Sequence, residues 1–337
     1  MILVTGATGL VGSHLVFQLL KKGLEVRVVK RPTSSTLNTL KVFSYYDKNA
    51  QVLFDKIEWV DADLMDVEEV DTIFNNISEV FHCAAMVSFA PRDKKTLLKY
   101  NAEITANLVN ASLRKDVKKF GMISSVAVLD KSQDKETTET DYWKNDPDIS
   151  VYGISKYMSE MEVWRGVEEG LNAVIVNPSL ILGPGNWSNS SSVLFKTAYK
   201  GMPFYTNGTN GFVDVRDVAG AIIELMEKNI FGERFILNSD NWPLRNSFTE
   251  MAKSLGSKPP HIEMSKKVAG FYWRFQWLKS LIFGTQPTVT KETVHTAYSN
   301  TRFNSQKIRD AIGMEFIPIQ KSIEEFSQFY LSDLEKS

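Results

Sequence analysis

The first 23 residues restrict this chain more than any other stretch. Ile2-Leu3-Val4 is a short, apolar, β-branched run that reads as a buried strand, and Thr5-Gly-Ala-Thr-Gly-Leu-Val-Gly12 follows at once. Leu10, Val11, Leu15, Leu19 and Leu20 then recur at helical spacing up to Gly23, which suits a C-terminal cap. In such a turn Gly6 permits the tight bend, Gly9 lets the backbone approach a pyrophosphate, and Gly12 allows close helix packing. The free N–H groups of the helix start then face the phosphates. A glycine triplet alone is weak; between a strand and an amphipathic helix it points to a bound dinucleotide.

The alternation continues. Glu25–Arg31, Ile57–Val60, Glu79–His82, Phe120–Ile123 and Ala173–Val176 read as strands, with helical runs between them such as Asp93–Leu113. Repeated βα units of this kind predict an α/β chain with a doubly wound parallel sheet. The second strand ends in Lys30-Arg31, where a dinucleotide fold reads the adenosine ribose. Two cations with Thr33, Ser34 and Ser35 behind them suit a 2′-phosphate, so NADP is favoured and NAD remains open; the plainer reading is an exposed basic strand end. Asp63, at the end of the third strand, either accepts from an adenine amine or caps the helix that starts near Asp66. Cys83-Ala-Ala85 leaves room for a cofactor with its small side chains.

From residue 177 the regularity thins. Residues 1–176 therefore read as a dinucleotide-binding domain that also holds the catalytic residues. Residues 177–337 read mainly as a smaller, mixed substrate-binding lobe, with some segments returning to the sheet. The polar loop Leu129–Ile149, with Glu139, Asp141 and Trp143, flanks the site as solvated surface or substrate contact. The aromatic run Phe271–Leu278 with Leu281–Phe283 reads as helix core or an oligomer contact, or as a lid over an apolar ligand.

Charge and composition narrow the partners. With 39 basic and 40 acidic residues the net charge is −1, which gives no electrostatic reason to expect nucleic acid or an anionic membrane. Cys83 is the single cysteine, so no intrachain disulfide forms and a reducing compartment fits. Four scattered histidines without Cys/His clustering give no support for a metal site. Met1 runs straight into the first strand with no basic leader, and Arg274 and Lys279 interrupt the nearest apolar stretch, Val268–Phe283. Cytoplasm is the expected location, with no membrane span.

Tyr152 and Lys156 stand four apart in a helical run, one turn from each other on one face. A free phenol titrates near ~10 and is a poor catalyst at neutral pH; a fixed ammonium beside it stabilises the phenolate and lowers that value. Ser124 and Ser125 arrive at the end of the fifth strand, on the same side of the sheet.

Taken in series, these residues resemble the extended short-chain dehydrogenase/reductase family, the NAD-dependent epimerase/dehydratase superfamily. The motifs are Thr5-Gly-x-x-Gly-x-x-Gly12, Asp63-Leu64, His82-x-Ala-Ala85, Ser124-Ser125, Tyr152-x-x-x-Lys156, Asn177-Pro-Ser179 and Val213-x-Val-x-Asp-Val-Ala219. Phe303–Lys307 and Ile312-Gly313 are similar to the family's tail. Val26-Arg-Val-Val-Lys-Arg31 and Glu139-x-Asp141-x-Trp143 look most like the dihydroflavonol-4-reductase and cinnamoyl-CoA-reductase-like branch. Ile123-Ser-Ser125 lacks the Thr-Asp-Glu of the family's sugar-nucleotide dehydratases. Val128-Leu-Asp130 and Asn210-Gly211 differ from its epimerases.

The resemblance implies a Rossmann-type sheet and catalysis by Ser125, Tyr152 and Lys156. It implies cofactor contacts from Gly6, Thr8, Gly9, Leu10, Val11, Lys30, Arg31, Asp63, Leu64, Ala84, Ala85, Lys156, Pro178 and Ser179. Asn101 is expected either to order a water leading to the lysine or merely to pack. The function implied is an NADP-dependent oxidoreductase reducing a ketone or aldehyde, with a small, apolar or aromatic substrate and a homodimer as the family's habit. The alternatives are an NAD(P)-dependent nucleotide-sugar epimerase and a non-catalytic NADP-sensing regulator.

Overall fold

A parallel strand covered on both faces must be apolar on both sides, and all four residues of β1 (Ile2–Thr5) are buried. In the computed structural model, which describes residues 1–88, 91–130, 135–142, 149–283 and 290–336, β1 lies inside a seven-stranded sheet. Its companions are β2 (Val26–Lys30), β3 (Glu58–Asp61), β4 (Glu79–His82), β5 (Lys119–Ile123) and β6 (Ala173–Pro178). Beyond β7 (Leu180–Leu182), β8 (Phe204–Tyr205) and β9 (Thr209–Asp214), the chain returns to the sheet as β10 (Glu233–Leu237). The order is β10-β6-β5-β4-β1-β2-β3, and every neighbouring pair is parallel.

Two helical layers cover the sheet. Leu10–Lys21 and Val215–Glu227 bury Leu15, Leu19, Ile222 and Met226 on one face. On the other, Lys94–Arg114 and Val151–Glu168 bury Ile104, Leu108 and Val163. These last two come so close that a Cβ on Gly166 would stand 2.7 Å from Cγ1 of Val109. The edge strand β3 begins one residue later than its sequence suggests, and its outer residues Glu58 and Asp61 are exposed. The Leu37–Tyr46 and Ala50–Phe54 helices fill the crossover between β2 and β3. Gly23, with φ +78°, follows the first helix in the left-handed conformation that its lack of a Cβ permits.

The remaining elements build a smaller lobe. A three-stranded sheet has β9 in the middle, antiparallel to β11 (Asp240–Pro243) and parallel to β7. β12 (Ile262–Glu263) pairs with β8. A third core joins Phe195, Phe212, Met251, Phe326 and Tyr330. Asp214 fastens lobe to sheet: it accepts from the Arg216 backbone and side chain and from the Ser322 hydroxyl at 2.6 Å.

Next to that joint, Asp217 is 8% exposed and accepts the Ile317 N–H at 2.8 Å. Burial, with the Asp214 charge adding to it, pushes its carboxyl up to about 7, against lowering by that N–H, Arg216 and Arg309. A carboxyl raised in the fold binds its proton more tightly folded than unfolded. Stability therefore falls as pH rises from the ordinary value of 3.8 through about 7. Asp217→Asn should accordingly raise the urea midpoint at pH 8 and change it little at pH 4. Equal shifts at both pH values would mean the buried charge is not the cause.

Candidate active site

The sheet order reverses at β1, with β2 on one side and β4 on the other, which opens a crevice beyond their carboxyl ends. Gly6, at φ +74°, forms the turn there, and a Cβ on it would meet the Ala84 nitrogen at 2.6 Å. A Cβ on Gly12 would stand 2.3 Å from the Gly6 carbonyl oxygen, so the helix reaches the turn only because it has none. The Leu10–Lys21 helix starts at Gly9 without a capping side chain or an acid in its first turn. The Val67–Ile73 helix differs: Asp66 accepts the Glu68 and Glu69 amides at 2.8 and 3.2 Å. The uncapped amides of Leu10 and Val11, beside Thr8 and the glycines, fit a diphosphate.

A buried relay supports this turn. Thr105 donates to the Asn101 carbonyl at 2.8 Å, so its oxygen accepts from Nε2 of His82 at 3.1 Å; Nδ1 then accepts from the Thr5 hydroxyl at 2.9 Å. Burial holds the imidazole neutral, down to about 3. The Ala84 amide donates to the same Thr5 oxygen at 3.2 Å, which fixes Ala84 and Ala85 at the crevice. Burial pushes the Cys83 thiol up to about 12, so it is an inert neighbour.

At the end of β2 the two cations diverge. Lys30 is paired with Asp61 of β3, whereas the exposed Arg31 guanidinium makes no hydrogen bond or ion pair among the described residues. Arg31 and Asp63 both act electrostatically on Tyr100. Asp63 accepts the Met65 amide at 2.9 Å and caps no helix, that position belonging to Asp66. Leu64 is buried, its carbonyl accepting from Asn107 at 2.9 Å.

Ser150 caps the Val151–Glu168 helix by accepting the Gly153 amide at 2.9 Å. Gly153 presses on the Val126–Val128 turn: its Cβ would lie 2.6 Å from the Ala127 carbonyl oxygen. That contact sets Tyr152 beside Ser125, close enough for the serine hydroxyl to act on the phenol and lower its pKa. Ser125 Oγ accepts the Ala127 amide at 3.2 Å. Burial raises the half-buried Tyr152 to about 12, with the Ser125 contact opposing it. The sequence pattern assigns that opposing part to Lys156. In the structure Lys156 Nζ instead donates to the Ile123 carbonyl at 2.8 Å, and burial lowers it to about 8.

Behind the pair lies a set of groups that the motif reading did not identify. Glu160, buried one turn past Lys156, accepts from Asn177 Nδ2 at 2.6 Å and faces Arg234 Nη1 at 3.5 Å. Burial raises its carboxyl. Asn177 also donates to the Ser125 carbonyl at 3.1 Å, and Arg234 donates to the Glu139 carbonyl at 2.6 and 3.0 Å. The signal was present in the spacing, since 152, 156 and 160 share a helical face. Ser124 lies close enough to Glu160 to lower its pKa yet outside hydrogen-bond geometry. Its hydroxyl and that of Ser179, next to Pro178, are buried without partners among the described residues, which fits a polar cofactor group above β5 and β6. Asn101 is engaged by protein, bonding both Met86 backbone groups at 2.7 and 3.0 Å and Ser155 Oγ at 3.0 Å. Asp141 pairs with Lys135 and accepts from Thr138; Trp143 lies outside the described residues.

Known proteins are similar to this chain in sequence and fold. A family model described as "NAD dependent epimerase/dehydratase family" matches residues 2–237. Cinnamoyl-CoA reductase 2 of Arabidopsis thaliana is 27% identical over 339 residues, covering 96% of this chain and 90% of that protein. The crystal structure of gox2253 is 29% identical with a TM-score of 0.81, covering 99% of this chain and 98% of that one. UDP-glucose 4-epimerase of Thermotoga maritima, solved with UDP-glucose, matches in fold with a TM-score of 0.78 at 20% identity, over 99% of each chain.

Glu160→Gln should lower the unfolding free energy by about 3 kcal/mol, because Arg234 loses its buried counter-charge. Denaturant titration would show this. A loss below about 0.5 kcal/mol, as at an unremarkable surface site, would mean that the ionic contact carries no weight.

Proposed function

The chain belongs to the NAD dependent epimerase/dehydratase family and is an NAD(P)-dependent enzyme of the extended short-chain dehydrogenase/reductase type, and from that premise we propose that it is an NADP-dependent reductase converting a ketone or aldehyde to an alcohol. The observation that carries the reading is Ser125 set beside Tyr152, with Lys156 one turn along, at the carboxyl edge that also bears the glycine turn.

A reduced nicotinamide, when bound, supplies hydride to the carbonyl carbon. The chain's part is the proton and the charge. A phenol raised to about 12 keeps its proton at neutral pH, which suits Tyr152 as donor to an oxygen gaining negative charge. Ser125 stabilises that oxygen with its hydroxyl. Lys156 would hold the nicotinamide ribose hydroxyls, with Ser179 and Pro178 at the far wall. Gly6, Thr8, Gly9, Leu10 and Val11 would take the diphosphate, and Asp63, Leu64, Ala84 and Ala85 the adenosine side. Arg31 supports the choice of NADP, since a cation without an ion pair at the end of β2 suits a 2′-phosphate. Lys30, already bound to Asp61, contributes less. The reductase identity of the cinnamoyl-CoA relative, along nearly its whole length, supports the same chemistry.

Two measurements test the reading. NADPH and NADH oxidation should be followed separately against aldehydes, ketones, acyl-CoA thioesters and sugar nucleotides. Tyr152→Phe should lower kcat by at least about 100-fold and leave the Kd for NADPH unchanged. Interconversion of a sugar nucleotide on retained NAD, with no net cofactor oxidation, would identify an epimerase instead; NADPH binding with no turnover of any carbonyl would favour a sensor. For cofactor choice, Arg31→Ala should weaken NADPH binding about tenfold, a loss of about 1.4 kcal/mol, and leave NADH binding as it was. Equal weakening of both would remove Arg31 from the 2′-phosphate.

A further inference from the structure

An ordinary surface helix turns its apolar stripe inward and its charges outward. The Lys266–Phe283 helix turns apolar side chains outward as well over its first three turns. Ala269 is buried and Trp273 half-buried, while Val268, Phe271, Tyr272 and Phe275 are 58%, 82%, 44% and 63% exposed. These four positions follow the i, i+3, i+4, i+7 spacing, so they form one continuous outward stripe. Neither helix core nor a closed lid accounts for side chains this exposed.

The charge of the helix itself is one-signed. Its sequence holds Lys266, Lys267, Arg274 and Lys279 and no acid; the flanking acids are Glu250, paired with Lys253, Glu263 and Glu292. The whole-chain balance of −1 conceals this segment. The exposed Lys267 and Arg274 lie along one border of the apolar stripe, and the Arg274 guanidinium sits 4.8 Å from the Trp273 ring centre. Ile262 and Phe204, paired across β12 and β8 just before the helix, expose further apolar surface.

From this placement we infer that the Lys266–Phe283 helix is a docking element for the surface of an anionic lipid bilayer. The aromatic stripe enters the boundary of head groups and chains, and the flanking cations meet lipid phosphates. Such a helix lies in the interface and does not span it, and no helix among the described residues is long and apolar enough to cross a membrane. Charge favours a lipid over a second copy as the occupant, because a second copy brings the same positive sign to the contact. An anionic lipid supplies both the apolar depth and the opposite charge. The inference stands on the helix's own exposure and charge, independently of the reductase reading.

The test uses the full chain and vesicle sedimentation. Vesicles of phosphatidylcholine alone are compared with vesicles of equal parts phosphatidylcholine and phosphatidylglycerol, at low and high salt. Binding should be at least about tenfold stronger to the anionic vesicles and should weaken with salt, each cation near the surface adding about 1 kcal/mol. The double variant Phe271→Ser/Phe275→Ser should abolish binding, and Lys267→Glu/Arg274→Glu should reduce it to the level seen with phosphatidylcholine alone. An unchanged thermal midpoint and unchanged NADPH binding in both variants would show that the fold is intact. No sedimentation with either vesicle, or equal sedimentation of both variants and wild type, would overturn the inference. So would a concentration-dependent dimer that the Phe271→Ser/Phe275→Ser variant dissolves, since it would make a second copy the occupant.

Discussion

A carboxylate buried away from water must be paired, and Glu160 is the point from which the candidate active site is held. It sits on the same helix face as Tyr152 and Lys156. Through Asn177 it reaches β6 and the Ser125 carbonyl; through Arg234 it reaches β10 and the Glu139 loop. One side chain thus connects the helix that carries the phenol, the turn that carries the serine, and the strand that returns from the smaller lobe. Losing its charge leaves Arg234 buried with the Glu139 carbonyl and the Tyr142 ring and no counter-charge among the described residues, which is why the cost falls on the whole site and not on one contact.

The parts of this fold that were legible in sequence are those set by local rules. Strand, glycine turn and helix are contiguous in Ile2–Lys21, and the apolar runs of β4, β5 and β6 are buried on both faces. Gly313, in the left-handed conformation, ends the helix that the tail pattern suggests. Less legible were the elements whose pattern is diluted by exposure or brevity. The edge strand β3 is exposed at both ends, and β8 and β12 have two residues each. The supports of the site were hidden for another reason. Thr5, His82 and Thr105 are far apart in the chain, as are Glu160, Asn177 and Arg234, and the parallel register of the sheet together with the packing of the Lys94–Arg114 and Val151–Glu168 helices on it brings each set together.

Spacing also leaves partners unstated. Tyr152-x-x-x-Lys156 places an ammonium one turn from a phenol, and one of its three donors is held by the Ile123 carbonyl at 2.8 Å. The two cations at the end of β2 show the same effect: adjacent in sequence, they differ because one strand further on Asp61 stands opposite Lys30 and nothing comparable stands opposite Arg31. A motif specifies which groups can meet. Which of them do meet depends on partners supplied by neighbouring strands.

Chain-wide charge has the same weakness as a guide to partners. A sum of −1 over the sequence is compatible with a uniform mixture of signs or with a cationic segment offset elsewhere, and potential at a surface depends on the local arrangement within about 10 Å. Here Lys267 and Arg274 border a helix whose aromatic side chains are exposed, on an element remote in sequence from the glycine turn. Exposure of apolar area on that scale is unfavourable in water by about 25 cal/mol for each square ångström left uncovered. A sequence that keeps it, bordered on one side by cations, presents a surface whose sign suits an anionic partner, as inferred above.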